Sequence, residues 1–406
     1  MKVLMFGNSF FDRTHKEFSR NKTGYGLLLK EIITTVGARE TVVVETFRIT
    51  EGFELRTELG NCRVRRHSAW MILKNFRFRD IINTIRAFFR PYKDLKTFLY
   101  SVYCNLCGGV FRNAIREEKP DIVHIHGINP VFIDACRSEK VPYVVTQHGL
   151  NGLREDVGRF YFDIEKKFFS DAKRDGVPVT VISTGIKKRV EEHYLDGMDA
   201  NNVYVVTNGT NLARKQSDHG QQREKHITVI GTLCSRKNQL QVVEAIRLLG
   251  DRLDGYTVYF CGGDDLNGLL QEKAEEYGIQ DRVRFMGFVE PKTIDTLLEQ
   301  AELNVLASKD EGFGISMIEG FVHGVPSVTF ADLDAVPDIY NEKVMVLCHE
   351  RSDRALAEAM EKALNTDWDR EYIRNHSLKF SLERMAQNYS SVYKDILGQS
   401  EAKNAD

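Results

Sequence analysis

Short runs of β-branched and other apolar residues alternate along the chain with longer segments whose apolar residues recur every three or four positions. The short runs are typical of buried strands, and the longer segments, such as 238–249 and 266–277, are typical of amphipathic helices. Strands that alternate with helices indicate parallel sheets covered on both faces. The predicted strands cover residues 2–7, 41–47, 121–125, 141–146, 177–182, 203–207, 226–231, 256–261, 282–286, 303–306, 326–330 and 344–348.

A polar segment, residues 213–225, divides these strands into two sets of six. A chain of 406 residues is also too long for one ordinary hydrophobic core. We therefore predict two doubly wound, Rossmann-like α/β domains, the first over 1–208 and the second over 209–380. Ligands of such sheets bind beyond the carboxyl ends of the strands, so the two domains are expected to face a central cleft.

Composition narrows the class of protein. The net charge of -2 argues against a general nucleic-acid binder. Seven cysteines without framework spacing indicate reduced thiols, and the lone C-x-x-C of Cys104 and Cys107 is interpreted as buried thiols rather than a zinc or redox site. The first apolar run is too short for a signal peptide, and no run approaches the length of a membrane span. We therefore expect a cytoplasmic protein.

Residues 63–96 depart from this average, because they hold ten Lys or Arg and two Asp, a local charge of +8. One interpretation is a solvated helix surface whose aromatic residues pack in the core. The other is a surface attracted to anionic lipids, which predicts a peripheral location at the inner face of the plasma membrane. The aromatic residues concerned are Trp70, Phe76, Phe78, Phe88, Phe89 and Tyr92.

The segment 310–324, DEGFGISMIEGFVHG, places a glycine-rich turn and a predicted helix between two predicted strands. The first N–H groups of a helix lack partners within it, and the helix dipole adds partial positive charge there, so this layout is typical of an anion site. Glu311 lies in the turn and can face a bound ligand. Glu319 lies more than one turn into the helix, where its carboxylate can accept hydrogen bonds from a diol such as ribose. The alternative is an ordinary connection with two solvated glutamates.

A second glycine turn, residues 230–238 (IGTLCSRKN), follows a predicted strand and opens a predicted helix. Arg236 and Lys237 lie at this helix start. Fixed cations and helix N–H groups can bind an anionic group such as a phosphate. The alternative is a basic helix start on the surface.

The first of these segments resembles the E-x7-E element of family 4 glycosyltransferases, which are retaining enzymes with the GT-B fold. In that family the second glutamate holds the nucleotide ribose, which implies this role for Glu319. The first glutamate and the backbone amides after it hold the donor sugar and its phosphates. By resemblance, these residues are Glu311, Gly312, Phe313, Gly314 and Ile315.

The second segment is similar to the family's G-R-L-x-x-x-K loop, whose Arg and Lys clamp the donor diphosphate. Gly231 and Lys237 keep the family spacing, whereas Thr232 stands at the Arg position, so Arg236 is the expected second cation. Residues 282–289 resemble the loop beside the nucleobase, which implies a backbone contact near Gly287. A predicted helix over 381–400 resembles the family's C-terminal helix, which returns to the first domain.

In the first half, Gly24, Tyr25 and Gly26 end a polar loop before a predicted helix over 27–35. The family has a glycine-rich loop here, so the resemblance implies that these residues face the acceptor and the donor sugar.

Two predicted strands end in histidines. The resemblance implies that His148 hydrogen-bonds the donor sugar, and His126 is a second, acceptor-side candidate. His124 is expected to pack in the core. The spacing of His124 and His126 could suggest a metal, but no third ligand is evident, so we predict no metal site.

The resemblance implies a metal-independent, retaining glycosyltransferase that needs no cofactor. It would move a hexosyl or N-acetylhexosaminyl group from a nucleotide-diphosphate sugar, with UDP-sugar favoured, to a glycan or lipid-linked acceptor. Cell-surface polysaccharide or glycoconjugate synthesis is the expected setting, with Glu311, His148 and Lys237 as the catalytic residues.

Several alternatives stay open or are disfavoured on particular residues. Thr232 keeps open a silent nucleotide-sugar-binding partner protein, and a sugar-nucleotide epimerase has the same two-domain organisation. A nicotinamide enzyme is disfavoured because neither half contains G-x-G-x-x-G after a strand. A metal-dependent transferase would use an aspartate pair at a strand end. Asp332 and Asp334 have that spacing, but we interpret them as part of a loop.

Overall fold

The computed structural model describes residues 1–7, 24–49, 56–67, 69–89, 95–154, 159–212 and 224–405. These residues form two compact units. Unit 1 comprises Met1–Ile182, Ile186–Val206 and Leu382–Asp406, and unit 2 comprises Ser183–Gly185 and Thr207–Ser381. Most of the polar segment 213–225 lies outside the described residues.

Unit 1 contains an eight-stranded sheet in the order β3-β4-β2-β1-β5-β6-β7-β8. All neighbouring strands are parallel except β3 and β4. The strands are β1 (Lys2–Gly7), β2 (Thr41–Ile49), β3 (Arg56–Leu59), β4 (Cys62–His67), β5 (Ile122–His126), β6 (Tyr143–Gln147), β7 (Val179–Val181) and β8 (Val203–Val205).

The α-helices of unit 1 pack on the sheet. The rings of Phe6, Phe111 and Phe132 pack together where two of these helices meet β1, with ring centroids 4.6 to 5.4 Å apart. The helices are α1 (Gly24–Gly37), α2 (Ala69–Asn75), α3 (Phe78–Phe88), α4 (Leu95–Leu106), α5 (Gly108–Glu118), α6 (Pro130–Glu139), α7 (Arg159–Asp175), α8 (Thr184–Tyr194, whose first two residues are assigned to unit 2) and α16 (Leu382–Ala405).

Unit 2 contains a six-stranded, wholly parallel sheet in the order β11-β10-β9-β12-β13-β14. The strands are β9 (His226–Ile230), β10 (Thr257–Cys261), β11 (Val283–Gly287), β12 (Ala301–Leu306), β13 (Ser327–Phe330) and β14 (Met345–Cys348). The helices are α9 (Gln239–Leu249), α10 (Leu269–Glu276), α11 (Pro291–Gln300), α12 (Ile315–Val322), α13 (Val336–Ile339), α14 (Asp353–Leu364) and α15 (Arg370–Ser377). The strand order reverses between β9 and β12, which is where doubly wound sheets bind ligands.

All twelve predicted strands are present, with ends within two residues of the prediction. The predicted helix over 27–35 begins earlier, so Gly24, Tyr25 and Gly26 lie in the first turn of α1 and not in a loop. The sequence did not predict β3 and β4. Three of the six residues of β4, CRVRRH, are arginines, so the strand lacks the apolar run that marks the others.

Buried charge explains how β4 can lie inside the sheet. Arg65 is buried and donates to Glu45 at 3.1 Å, to Glu118 at 2.8 Å and to Glu117 at 2.7 Å. Burial raises the pKa of Glu118, but hydrogen bonds from Arg65 and Lys2 outweigh it and lower that pKa to about 2. Part of the basic stretch 63–96 therefore stabilises the fold of unit 1.

Candidate functional site

The loop after β9 is shaped by close contacts between backbones. Gly231 has a φ of +140°, a conformation that favours glycine. Gly262, after β10, approaches so closely that an added Cβ would lie 2.1 Å from the carbonyl oxygen of Gly231. The Leu233 N–H donates to the Gly263 carbonyl at 2.8 Å. These contacts hold the loop at the carboxyl end of β9.

Gln239, the first residue of α9, holds this loop in place, and the sequence did not indicate this role. Its buried amide accepts from the Cys234 N–H at 3.3 Å and donates to the Thr232 carbonyl at 2.9 Å and the Gly231 carbonyl at 3.4 Å. Thr232 itself is exposed. A glutamine just after a predicted cation pair is the one sequence signal that could have identified this role.

Lys237 and Glu311 are in contact near the point where the strand order reverses between β9 and β12. The Lys237 ammonium donates a hydrogen bond to the Glu311 carboxylate, and both side chains are mostly buried, with 15% and 16% of their surfaces exposed. The Arg236 guanidinium donates to the Asp310 carbonyl at 2.9 Å and lies 3.8 Å from the Glu311 carboxylate. The two predicted cations therefore lie together with the first predicted glutamate.

Glu311 is ionised in these surroundings. Burial raises the pKa of Glu311, but the charge and hydrogen bond of Lys237, the charge of Arg236 and the Gly314 N–H together lower it below its ordinary value. The cations thus hold the Glu311 carboxylate in its ionised form and in place.

The start of α12 follows this cluster. Gly314 directly precedes the helix and has a φ of +72°. A Cβ added at Gly314 would lie 2.4 Å from the Met317 side chain. Phe313 is buried, with its ring 5.8 Å from that of Phe380, so this residue offers only its backbone to a ligand. Gly312 and Ile315 are partly exposed beside it. The amides at this helix start suit an anion.

Glu319 lies in the middle of α12 and is partly exposed. The next residue, Gly320, packs on β12, where an added Cβ would lie 3.3 Å from the Asn304 amide. Asn304 is fully buried, accepts from the Thr228 hydroxyl at 3.1 Å and donates to the Ser316 carbonyl at 2.9 Å. This link between β9, β12 and α12, which sequence reasoning missed, fixes where the helix lies.

Gly287 ends β11 with a φ of +61°. Its carbonyl accepts the Gly262 N–H at 2.8 Å. The predicted base-side residue is thus joined to the glycine that supports the loop after β9.

In unit 1, the structure brings together three of the predicted residues. Nδ1 of His126 and Nε2 of His148 lie 3.1 Å apart, within hydrogen-bond distance. The Tyr25 ring meets the His148 ring edge-on, with centroids 5.2 Å apart. Burial lowers the pKa of His148 to about 4 and lowers that of His126 well below its ordinary value. Both rings are therefore neutral at neutral pH.

The other nitrogens of this pair, Nε2 of His126 and Nδ1 of His148, are buried and have no hydrogen-bond partner among the residues that the structure describes. A neutral imidazole has one donor and one acceptor nitrogen. Because one ring must donate to the other, the pair always offers one donor and one acceptor at its two outer ends. Such an arrangement suits a hydroxyl-bearing ligand, whose groups both donate and accept.

His124 is buried, as expected, between the Tyr393 hydroxyl at 2.7 Å and the Thr146 hydroxyl at 2.6 Å. No group of three or more side chains that could hold a metal ion occurs within the described ranges. Asp332 lies in a turn and pairs with Arg351 at 2.8 Å, in agreement with its interpretation as part of a loop.

Of the two interpretations of the basic stretch, packing of its aromatic residues in the core does not hold for four of them. A buried ion pair of Asp80 with Arg112, 2.7 Å apart, fixes α3 to α5, and the opposite side of α3 carries exposed apolar side chains. Phe76 is partly buried, and Tyr92 lies outside the described residues. The exposed aromatic residues are Trp70, Phe78, Phe88 and Phe89.

Among the helices that the structure describes, none combines the length and apolarity needed to cross a bilayer.

Comparisons with known proteins agree with this geometry. Residues 213–380 match the family "Glycosyl transferases group 1", and residues 65–214 match "Glycosyltransferase Family 4". An uncharacterized glycosyltransferase of Methanocaldococcus jannaschii is 25% identical over 304 residues, which are 68% of this chain and 76% of that protein.

Two solved structures share the fold across nearly the whole chain. Sucrose-phosphate synthase of Thermosynechococcus elongatus has a TM-score of 0.72 at 15% identity, covering 98% of this chain and 99% of that one. The HepE protein of Anabaena in complex with UDP and glucose has a TM-score of 0.65 at 14% identity, covering 97% of this chain and 100% of that one.

The two Rossmann-like units and these matches define a glycosyltransferase of the GT-B fold. The chain belongs to glycosyltransferase family 4.

Proposed function

We propose that this glycosyltransferase retains anomeric configuration and moves a hexosyl or N-acetylhexosaminyl group from a UDP-sugar to a glycan or lipid-linked acceptor. The observation that carries the proposal is the cluster of Lys237, Arg236 and Glu311 beside the start of α12. Two cations and a helix N-terminus can neutralise a leaving diphosphate, so the reaction needs no essential metal.

Each unit has its own part in this proposal. The donor domain, 209–380, binds the diphosphate through Lys237, Arg236 and the amides of 312–315, the ribose through Glu319 and the base near Gly287. The acceptor domain, 1–208 with the helix 381–400, contributes His126 and residues 24–26. Glu311 and His148 orient the donor sugar. We assign no protein nucleophile.

Arg236 supports turnover by a chain that lacks the family arginine at Thr232. Its guanidinium lies 3.8 Å from the carboxylate that Lys237 contacts, so a second cation is present from another direction. UDP is the favoured nucleotide because the HepE structure contains UDP and glucose.

A thermal-shift screen of uridine, guanosine and adenosine diphosphate sugars tests the donor. Binding to the folded state alone raises Tm, so a UDP-sugar should give the largest shift. The same donor incubated with and without EDTA should release UDP at equal rates, and the anomeric proton of the transferred sugar reports retention. Lys188→Met, which removes an exposed lysine paired with Glu192, is the matched control for Lys237 variants.

Other outcomes identify the rival functions. Interconversion of the donor sugar without UDP release would indicate an epimerase. A thermal shift with neither release nor interconversion would indicate a silent binding protein. Release that depends on a divalent cation would contradict metal independence.

We also propose that the enzyme is cytoplasmic and works peripherally at the inner face of the plasma membrane. An apolar surface, which we call the α3 face, is formed by four residues at helical spacing along α3 and just after it: Phe78, Ile82, Ile85 and Phe89. The exposed fractions of Phe78, Ile85 and Phe89 are 76%, 52% and 85%. Exposed Arg77 and Arg86 border it, which suits an anionic bilayer.

Vesicle co-sedimentation tests this surface. Binding to anionic vesicles should weaken sharply with added salt, and Ile85→Ser with Phe89→Ser should abolish it. Met198→Ser, another exposed apolar residue of unit 1, should bind as wild type. Equal binding to neutral vesicles, or binding to neither, would contradict the proposal.

A further inference from the structure

The carboxylate of Glu165, on α7, accepts an unusual number of hydrogen bonds for a single side chain. It is 3% exposed. One oxygen accepts the Asn151 N–H at 2.9 Å and the Gln147 amide at 3.2 Å. The other accepts the Gly152 N–H at 2.9 Å and the Tyr194 hydroxyl. A buried carboxylate is costly unless it is well paired, and here neutral donors do the pairing.

Three of those four donors belong to one short segment, residues 147–152. The Gln147 amide also donates to the Gly149 carbonyl at 2.7 Å, which closes the segment on itself. At its far end, an added Cβ on Gly152 would lie 2.4 Å from the Phe162 backbone, so the segment lies directly against α7. Glu165 thus binds this segment at both ends.

His148 lies inside the closed segment. It is the residue after Gln147, whose side chain Glu165 holds, and it precedes the Asn151 and Gly152 amides that Glu165 also holds. Its ring must meet His126 at 3.1 Å for the pair to share a hydrogen bond. A histidine in a loop keeps such a distance only if the loop backbone is fixed.

We propose that Glu165 is a positioning residue for glycosyl transfer, which fixes residues 147–152 so that His148 keeps its hydrogen bond with His126 and its orientation toward the donor sugar. This inference rests on the proposed function, in which His148 contacts that sugar. Glu165 itself touches neither the histidine ring nor, in this proposal, the substrate.

Glu165→Gln is the informative substitution because it keeps the side-chain shape. Glutamine has one acceptor oxygen and an NH₂ group. The Asn151 and Gly152 N–H groups bond to different oxygens in the wild type, so one of them must face the NH₂ group in the variant. The segment should therefore lose at least one of its backbone hydrogen bonds to residue 165 while α7 remains packed.

The first measurement compares turnover with nucleotide affinity. We expect kcat for sugar transfer to fall about tenfold, equivalent to a coupling of about 1.4 kcal/mol, within the range for residues in one network. The Kd for UDP should stay unchanged, because unit 2 is the proposed nucleotide site. Glu118→Gln, which perturbs another buried carboxylate of unit 1, should lower Tm without lowering kcat at a temperature where both variants are folded.

A double-mutant cycle tests whether Glu165 acts through the histidine. In the His148→Ala background, Glu165→Gln should change kcat by less than twofold. A full tenfold loss in that background, or wild-type kcat for Glu165→Gln alone, would overturn the proposal.

The ring ¹⁵N signals of His148, assigned by comparison with His148→Ala, give a readout independent of catalysis. Glu165→Gln should shift these signals, because His148 no longer keeps its hydrogen bond with His126. Unchanged signals would overturn the proposal even if no donor is turned over, which separates its failure from failure of the proposed function. If Glu165→Gln does not fold, Gln147→Met breaks the same segment's side-chain contacts and should change the same signals.

Discussion

Replacing Lys237 with methionine removes the cation that contacts Glu311 while keeping most of the side-chain volume. Both partners are about 15% exposed, so solvent screens them little. A hydrogen bond to a charged group contributes about 1.5 to 3 kcal/mol. Arg236, 3.8 Å from the carboxylate, remains and offsets part of the loss. We therefore expect the free energy of unfolding to fall by about 2 kcal/mol, which lowers Tm by roughly 4–8 °C for a domain of this size.

The pH dependence identifies the cause. In the wild type the pKa of Glu311 lies below its ordinary value, 4.5. Its stabilising effect is therefore present above that ordinary value and is lost as pH falls through the folded-state pKa. Without Lys237, burial should raise this pKa, so the variant loses stability as pH rises past the ordinary value. The deficit should be largest near pH 7 and smallest near pH 4.

Denaturant unfolding across that pH range, followed by donor turnover at pH 7, measures both effects. Loss of one fixed charge beside the leaving group should lower kcat by about 10² to 10³. Lys188→Met should behave as wild type in both assays, because its ion pair is exposed. A deficit of equal size at about pH 4 and pH 7, or wild-type turnover, would refute this account of the Lys237 and Glu311 pair.

Three further changes test other parts of the structure. Glu319→Ala should weaken UDP binding by about 1.5 to 3 kcal/mol in calorimetry, because the ribose loses charged hydrogen bonds, and unchanged affinity would contradict that role. Asp80→Asn should destabilise unit 1 by about 3 to 5 kcal/mol in denaturant unfolding, because it removes the negative charge that neutralises the buried Arg112, and a loss below about 1 kcal/mol would show the ion pair to be unimportant. Gly262→Ala should lower Tm and weaken UDP binding, because its Cβ would displace the Gly231 carbonyl, and a variant that binds UDP as wild type would show that the loop tolerates the shift.

The sequence predicted the strands well because a strand buried on both faces has an apolar run that identifies it locally. β4 escaped prediction because its burial depends on partners from elsewhere in the chain. Arg65 is acceptable inside the sheet only with Glu45, Glu117 and Glu118 around it. No local pattern shows such pairing.

The candidate site likewise contains residues that the sequence predicted and residues that it did not. The resemblance pointed to Lys237 and Glu311, which lie 74 positions apart and are in contact. Gln239 and Glu165 were missed because they hydrogen-bond backbone groups of loops. Every residue type has such groups, so the sequence does not show where these bonds form. For α3, an amphipathic pattern shows that one side is apolar but not that the side chains on this side are exposed.

The two units differ in how their chain segments are ordered. Apart from three residues, unit 2 is one continuous stretch, Thr207–Ser381, whereas unit 1 also requires Leu382–Asp406. Within it, α16 packs on α1, and Tyr393 contacts His124 at 2.7 Å. Because Leu382–Asp406 follow the whole of unit 2 in the chain, the packing of unit 1 can be completed only after unit 2 has been synthesised.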